Sequence, residues 1–380
     1  MDAVPSIIDR VNLLVPGFAE RAPSHDRAAS FPFENFQELS EAGLLALPVP
    51  KALGGVGAGV REAARVVNAV GKADAATALV LAMHYIHHLV ITRNGNWPAH
   101  LAQRVSRDPV NGPALINALR VEPDQGSPSR GGLPQTTAKR TAEGWRMTGR
   151  KIYSTGAPIL KWYTVWAKTD EPDVRVGVFL VPAGLPGTEI VETWDHLGLR
   201  ASGSHDVVFD DVLIPLDNEV DLRRPSDWGA PDVSQATIQA VLVGAVYDGV
   251  ARAARDWLID FLKTRTPSSL GAPLATLPRA QEIVGGIEAK LAVNARLLET
   301  FARDIDDGVT LTPVEANILK LTVTNNAVAV VEDALSLTSN HGLTRANPLE
   351  RHYRDVLCGR VHTPQDDSTK ISAGRIALGI

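Results

Sequence analysis

Apolar residues in the first third of the chain recur at helical spacing. Ile7, Ile8, Val11 and Leu14–Val15 form one run, and a second begins near Phe31-Pro32-Phe33 and carries Phe36, Leu39 and Leu44–Leu45. Pro48 and Pro50 end that run. The glycines at 54, 55, 57 and 59 look like a dinucleotide fingerprint, but the proline-broken Leu47–Pro50 stands where the preceding strand should be. The segment is therefore read as a loop entering a helix over Val60–Gly71. A helix over Ala75–Thr92, apolar nearly all round, is expected to be buried. From Ile116 to Pro215 the period shortens to β-branched runs broken by Gly, Pro and Asp: Thr136–Arg140, Trp145–Thr148, Thr164–Lys168, Val176–Val181, Glu189–Glu192 and Asp206–Phe209. Beyond the charged, proline-containing stretch Asp217–Pro231 helical periodicity resumes, over Ser234–Leu262, Pro278–Asp306, Thr312–Ser339, Pro348–Cys358 and Pro364–Leu378.

This order predicts an α+β multidomain protein. An N-terminal helical domain (1–114) precedes a middle antiparallel β-sandwich or barrel (115–216) and a C-terminal antiparallel helical bundle (217–380). A chain of 380 residues buries enough apolar surface to fold without disulfides or structural metal. The single cysteine, Cys358, excludes an intrachain disulfide and suits a reducing compartment. With a net charge of -5 the chain does not read as a general nucleic-acid or anionic-membrane binder. The start, MDAVPSIIDR, lacks the basic-then-apolar pattern of a leader, and the expected location is the cytoplasm. No metal site is expected, because His84, His87 and His88 have no acidic or cysteine partner close in sequence.

Candidate chemistry concentrates in Gly144–Ala157. A strand-turn-strand pattern there leads into Tyr153, Ser154, Thr155 and Gly156, which place two hydroxyls and a flexible backbone beside a large ring. That set suits a flat ligand with a polar edge such as a flavin. It equally suits an ordinary amphipathic hairpin.

Taken with FPFENFQELSEAGLLALPVPKALGG near the front and NPLERHYRD near the end, the order of elements resembles the acyl-CoA dehydrogenase superfamily over nearly the whole chain. The resemblance implies a flavoprotein oxidoreductase holding FAD, with FMN as the other choice, and assembled as a homotetramer or dimer. It implies a small-molecule partner such as an acyl-CoA, with an electron-transfer flavoprotein or a flavin reductase as redox partner, and no nucleic acid or membrane. ALRVEPDQGSPSRGG is similar to the family's A-L-T-E-P-x-A-G-S-D loop, which places Val121, Glu122 and Ser127 against the flavin, with Ser127 also facing substrate. Val121 departs from the family's threonine and Pro128 from its aspartate. Lys151–Gly156 resembles K-x-W-I-T-N, so Tyr153 stands for the tryptophan on the ring, followed by Ser154, and Thr155 is the donor to flavin N5. In Trp194–Pro215 the resemblance makes Arg200 a structural pin and Ser202 and Ser204 candidate ligand contacts. Arg265 and Gln281 match the family's R…Q pair, an arginine fork suited to a diphosphate.

Two residues carry alternative chemistries. Glu350, in NPLERHYRD, matches the family's catalytic-glutamate segment, which implies α,β-desaturation of an acyl thioester: a proton leaves to Glu350 and a hydride to N5. Read from residues alone, Glu350 completes a capping pattern after Asn347-Pro348 and can pair with Arg354 four residues on. The spacing from Asp355 to His362 instead resembles two-component flavin-dependent monooxygenases of the same fold, which use reduced flavin and O2. In that reading His362 faces the flavin, His84, His87 or His88 is a candidate second member of the site, and His84 and His88 are the expected substrate contacts.

Overall fold

The computed structural model describes residues 5–93, 95–124, 132–228 and 233–380. Five N-terminal helices come first: α1 (Ile7–Ala28), α2 (Phe33–Glu41), α3 (Val60–Ala73), α4 (Ala75–Arg93) and α5 (Ala99–Asn111). Ser6 opens α1 with a reciprocal capping box to Asp9. Asp74 starts α4, its carboxylate accepting from the Thr77 N–H and hydroxyl while Asn35 donates to the same hydroxyl. The α4 sequence is long and apolar enough to span a bilayer, yet 83 % of it is packed inside the protein, as its all-round apolar pattern predicts.

Among the described residues there are eight strands: β1 (Leu115–Leu119), β2 (Thr137–Arg140), β3 (Trp145–Lys151), β4 (Leu160–Thr169), β5 (Val176–Pro182), β6 (Thr188–Val191), β7 (Asp206–Ile214) and β8 (Glu219–Arg223). They make one sheet in the order β6-β7-β3-β2-β4-β5-β8, with β1 added to β4. Most pairings are antiparallel, as expected, but β1 and β2 both run parallel to β4. Strand β8 lies beyond residue 216, in the stretch that reads as a charged linker. Its EVDLR sequence pairs only with β5, and polar residues on such an edge discourage pairing with other chains.

The C-terminal helices are α6 (Val233–Thr264), α7 (Pro278–Asp306), α8 (Pro313–Thr338), a short α9 (Asn340–Leu343), α10 (Leu349–Leu357) and α11 (Asp366–Leu378). Thr312 and Glu315 form a capping box ahead of α8, with Pro313 at its first position. One apolar core runs from α1 through α3 and α4 to α6 and α8, and continues into the sheet. Each fully buried Val or Leu of that core contributes about 1.5–3 kcal/mol. Helices α3 and α6 cross at glycine: a Cβ on Gly249 would sit 2.5 Å from the Asn68 carbonyl oxygen, and one on Gly71 2.8 Å from that of Val246. Beside this crossing the Asp248 carboxylate takes bonds from Asn68, Arg252 and Asn294, so α3, α6 and α7 share one satisfied polar centre.

Candidate functional site

Strand β3 delivers the chain into the Tyr153–Gly156 turn. Ile152 N–H bonds to the Val121 carbonyl, Ser154 N–H to that of His205, and Gly156 N–H to that of Ser202, so backbone bonds hold the turn between the 121–122 loop and the 202–205 loop. Tyr153 adopts a left-handed conformation (φ 57°), which costs energy for a residue with a Cβ and throws its ring outward. Gly156 follows at φ 79°, where a Cβ would come 2.8 Å from Val80 of α4. The turn is thus pressed onto α4.

The result is a small aromatic platform with a hydroxyl chain at its edge. Tyr153, 53 % exposed, stands edge-on to Trp194 and His196, whose rings stack at 3.7 Å. The Thr155 hydroxyl lies 3.0 Å from that of Ser204, which lies 2.8 Å from that of Ser202. Ser154 is buried and its hydroxyl has no partner. An exposed aromatic face, an adjacent hydroxyl with internal support and an unspent buried hydroxyl fit a flat heteroaromatic ring with polar edge atoms. Tyr153, Ser154, Thr155 and Ser202 therefore lie together.

Glu122 lies behind this wall rather than in it. Its carboxylate accepts from Lys151 Nζ (2.6 Å), from the Thr136 hydroxyl and N–H, and from the Gln135 N–H. Burial works against its charge, yet these donors hold its pKa below the usual carboxylate value. With both oxygens spent, its side chain is a strut under the turn. Val121 contributes its carbonyl to Ile152, and Ser127 lies outside the described residues.

Of the three histidines on α4, the sequence reading favours two, and the structure draws attention to the third. The buried His84 joins Leu45 O through Nε2 (2.9 Å) and accepts from the Ile116 N–H through Nδ1, tying α4 to β1. Burial lowers its pKa to about 4, so it is a neutral structural tie. His88 packs edge-on to His84 with neither ring nitrogen partnered, and burial holds it well below the ordinary value. His87 projects toward β1, where it bonds to Asn117, and Asn117 in turn donates to the Thr155 carbonyl at 2.9 Å. Burial lowers the His87 pKa to about 4. Helical periodicity distinguishes it: His84 and His88 share a face, whereas His87 points a quarter-turn away.

Glu350 sits in a different environment. Both of its oxygens bond to Arg354, which also grips both oxygens of Asp26 on α1 and donates to Leu197 O. The cavity it lines contains no residue of the 153–156 wall. Next to it, the buried Asp355 accepts from the Leu199 N–H at 2.7 Å, and Arg200 donates to Asp26 O. Arg200 is thus an interdomain pin, and α1, α10 and the 194–204 loop meet at one polar junction.

His362 occupies the joint between α10 and α11. Its ring lies 5.7 Å from that of Tyr247, and Gln239 donates to the carbonyl of Thr363 beside it. Burial first, and the charge of Lys320 second, lower its pKa to about 4. Lys320 is itself buried, 3.5 Å from Asp366, and Tyr247 Oη and Thr369 Oγ1 are buried without partners. An NMR titration of the imidazole should give a midpoint near pH 4 in the wild type and a higher one in Lys320→Met. A wild-type midpoint at the ordinary value of 6.5 would mean that the ring is solvated.

Arg265 and Gln281 are both exposed, on either side of the segment PSSLGAPLATLPRA at 267–280. Gln281 Nε2 donates to Ala275 O and the Arg265 carbonyl accepts from the Leu274 N–H, so these bonds fold the segment back on itself. No carboxylate among the described residues pairs with the Arg265 guanidinium.

Comparison with known proteins agrees with this architecture in every part of the chain. The N-terminal, middle and C-terminal domain models of acyl-CoA dehydrogenase match residues 15–97, 120–212 and 241–366. YdbM of Bacillus subtilis (strain 168), whose name assigns it provisionally to the acyl-CoA dehydrogenases, is 32% identical over 95% of this chain and 93% of its own. L-evernosamine nitrososynthase of Micromonospora sp. (strain ATCC 39149 / NRRL 15099 / SCC 1413) is 29% identical over 99% of this chain and 90% of its own. Among solved structures, KijD3 in complex with FMN and a dTDP-linked amino-keto sugar superposes with a TM-score of 0.85 and 30% identity, covering 98% of this chain and 93% of that one. With all three domain models matched in order, and a relative of this identity aligned almost end to end, the chain belongs to the acyl-CoA dehydrogenase family.

Proposed function

We propose that this flavin-dependent oxidoreductase is a monooxygenase, using reduced flavin and O2 to oxygenate a small nitrogen-bearing substrate. The observation that carries this reading is the state of Glu350. A base for α-proton abstraction needs a free carboxylate in an apolar pocket, and both Glu350 oxygens are held by Arg354. Desaturation of an acyl thioester is the second reading, favoured by the identity with YdbM. Nitrososynthases among the relatives, and the dTDP-linked amino-keto sugar held by KijD3, make a nucleotide-linked amino sugar the first substrate class to test.

Tyr153, with Trp194 and His196, would hold the flavin ring, FAD or FMN, and Thr155 would present its hydroxyl to N5. Bound flavin supplies the redox chemistry, either taking hydride or activating O2. The protein's part is positional and protic. Ser202 and Ser204 fix the Thr155 hydroxyl, and Asn117 fixes its carbonyl. His87, neutral behind Asn117, and His362, neutral at the helix joint, each offer an imidazole that can accept a proton without prior deprotonation.

The deciding measurement mixes the flavin-loaded protein, without oxygen, with an acyl-CoA panel, and separately supplies reduced flavin, O2 and a dTDP-amino sugar. Oxygenated sugar and unbleached flavin are expected. Bleaching by an acyl-CoA that Glu350→Gln abolishes would overturn the proposal in favour of desaturation.

A further inference from the structure

A cavity of about 490 Å³ lies between α1, the end of α3 and the start of α10, away from the aromatic platform. Its charge is out of character for a chain with a net charge of -5. Four cationic side chains line it: Arg27, Lys72, Arg345 and Arg351. Lys72 is paired with Asp256, and the two lining carboxylates, Asp26 and Glu350, are both spent on Arg354. Among the described residues no carboxylate bonds to any of the other three arginines. Arg351 is the most telling: the residue is only 8% exposed, and among the described residues no hydrogen bond or ion pair holds its guanidinium, which opens into the cavity. A cation with little surface and no carboxylate partner suits an anionic ligand. Asp355, which acts on it through charge, already accepts from the Leu199 N–H.

We propose that this cleft binds a phosphomonoester of a small metabolite, with Arg351 as the anchor and Arg27 and Arg345 closing on the phosphoryl group from the mouth. Guanidinium forks match a phosphoryl group in bidentate geometry, and three of them outbid the single charge of a carboxylate. The volume falls in the range of small-molecule sites and exceeds what a bare anion needs. Ala19, Pro23, Ala73 and Pro348 give the remaining wall an apolar lining for the organic part. His352, kept neutral by burial and then by the Arg351 charge, adds a hydrogen-bonding edge without competing for the anion.

The site shares Asp26 with the junction that holds the 194–204 loop, and that loop carries Ser202 and Ser204.

Calorimetric titration of the full-length protein tests this, using glycerol 3-phosphate, inorganic phosphate and, as the neutral control, glycerol. Saturable binding is expected for glycerol 3-phosphate, more weakly for phosphate, and not at all for glycerol. Arg27→Ala and Arg345→Ala, at exposed positions that leave folding intact, should each weaken glycerol 3-phosphate binding about tenfold. Arg351→Lys keeps the charge but loses the fork, and should weaken it as well; its unfolding temperature reports whether the fold survives. No saturable binding of either phosphate, or affinity unaltered in both Arg27→Ala and Arg345→Ala, would overturn the assignment.

Discussion

Asp355→Asn is expected to remove a loss of stability that the wild-type protein suffers as pH rises from the ordinary aspartate value of 3.8 to about 7. Burial raises the Asp355 pKa to about 7, against the Leu199 N–H and the charge of Arg351, which favour the carboxylate. The folded state therefore holds a proton that the unfolded chain has already released in this window. Stability contributed by that proton is fully present below 3.8 and is lost as pH climbs through the folded-state value. A shift of this size corresponds to a cost on the order of 4 kcal/mol above neutrality. Asparagine keeps the oxygen that accepts from Leu199 and removes the ionisation. Urea denaturation at about pH 5 and about pH 8 should show the variant gaining on the wild type at the higher pH. Parallel behaviour of the two proteins would mean that Asp355 ionises freely in the fold.

Lys151→Met should cost about 3–5 kcal/mol, because it leaves the Glu122 carboxylate buried without its cation. Lys151 is wholly buried and donates to Glu122 and to Trp166 O. Burial lowers its pKa to about 8, so at neutral pH the amine is still charged, and the pair holds through charge as well as hydrogen bonding. The double variant Glu122→Gln, Lys151→Met should recover part of the loss, since the amide stays bonded to Thr136 and carries no charge. A denaturation midpoint for Lys151→Met close to that of the wild type would show that the carboxylate finds water instead. Position matters as much as energy here. Lys151 immediately precedes the Ile152–Gly156 turn, so a sagging strut should also weaken flavin binding.

Much of this architecture is legible in the pattern of apolar residues. The buried α4 announces itself by an uninterrupted apolar surface, and α8 by Thr312, Pro313 and Glu315 at its start. Strand β8 does not, because an edge strand bonded on one side tolerates charged residues that read as linker. Nor can spacing along one strand reveal that β1 and β2 run parallel to β4, since direction depends on how distant segments meet. At the candidate site, local sequence groups Tyr153, Ser154 and Thr155, which are neighbours in the chain. It says little of Glu122, whose role is fixed by Lys151, 29 residues away, or of His87, whose role is fixed by Asn117. Glu350 pairs with Arg354 at i,i+4 as the local pattern predicts, but the capping pattern does not form, because Pro348 takes the cap position of α10 and Asn347 turns its amide to the His341 carbonyl.

The clamp between Asp26 and Arg354 joins residues 328 positions apart. During synthesis α1 emerges first and must wait for almost the whole of the remaining chain before its partner exists. Until then Asp26 lacks the guanidinium that pairs with it. The three-domain junction therefore closes late in synthesis, with only the helix joint and α11 still to be made.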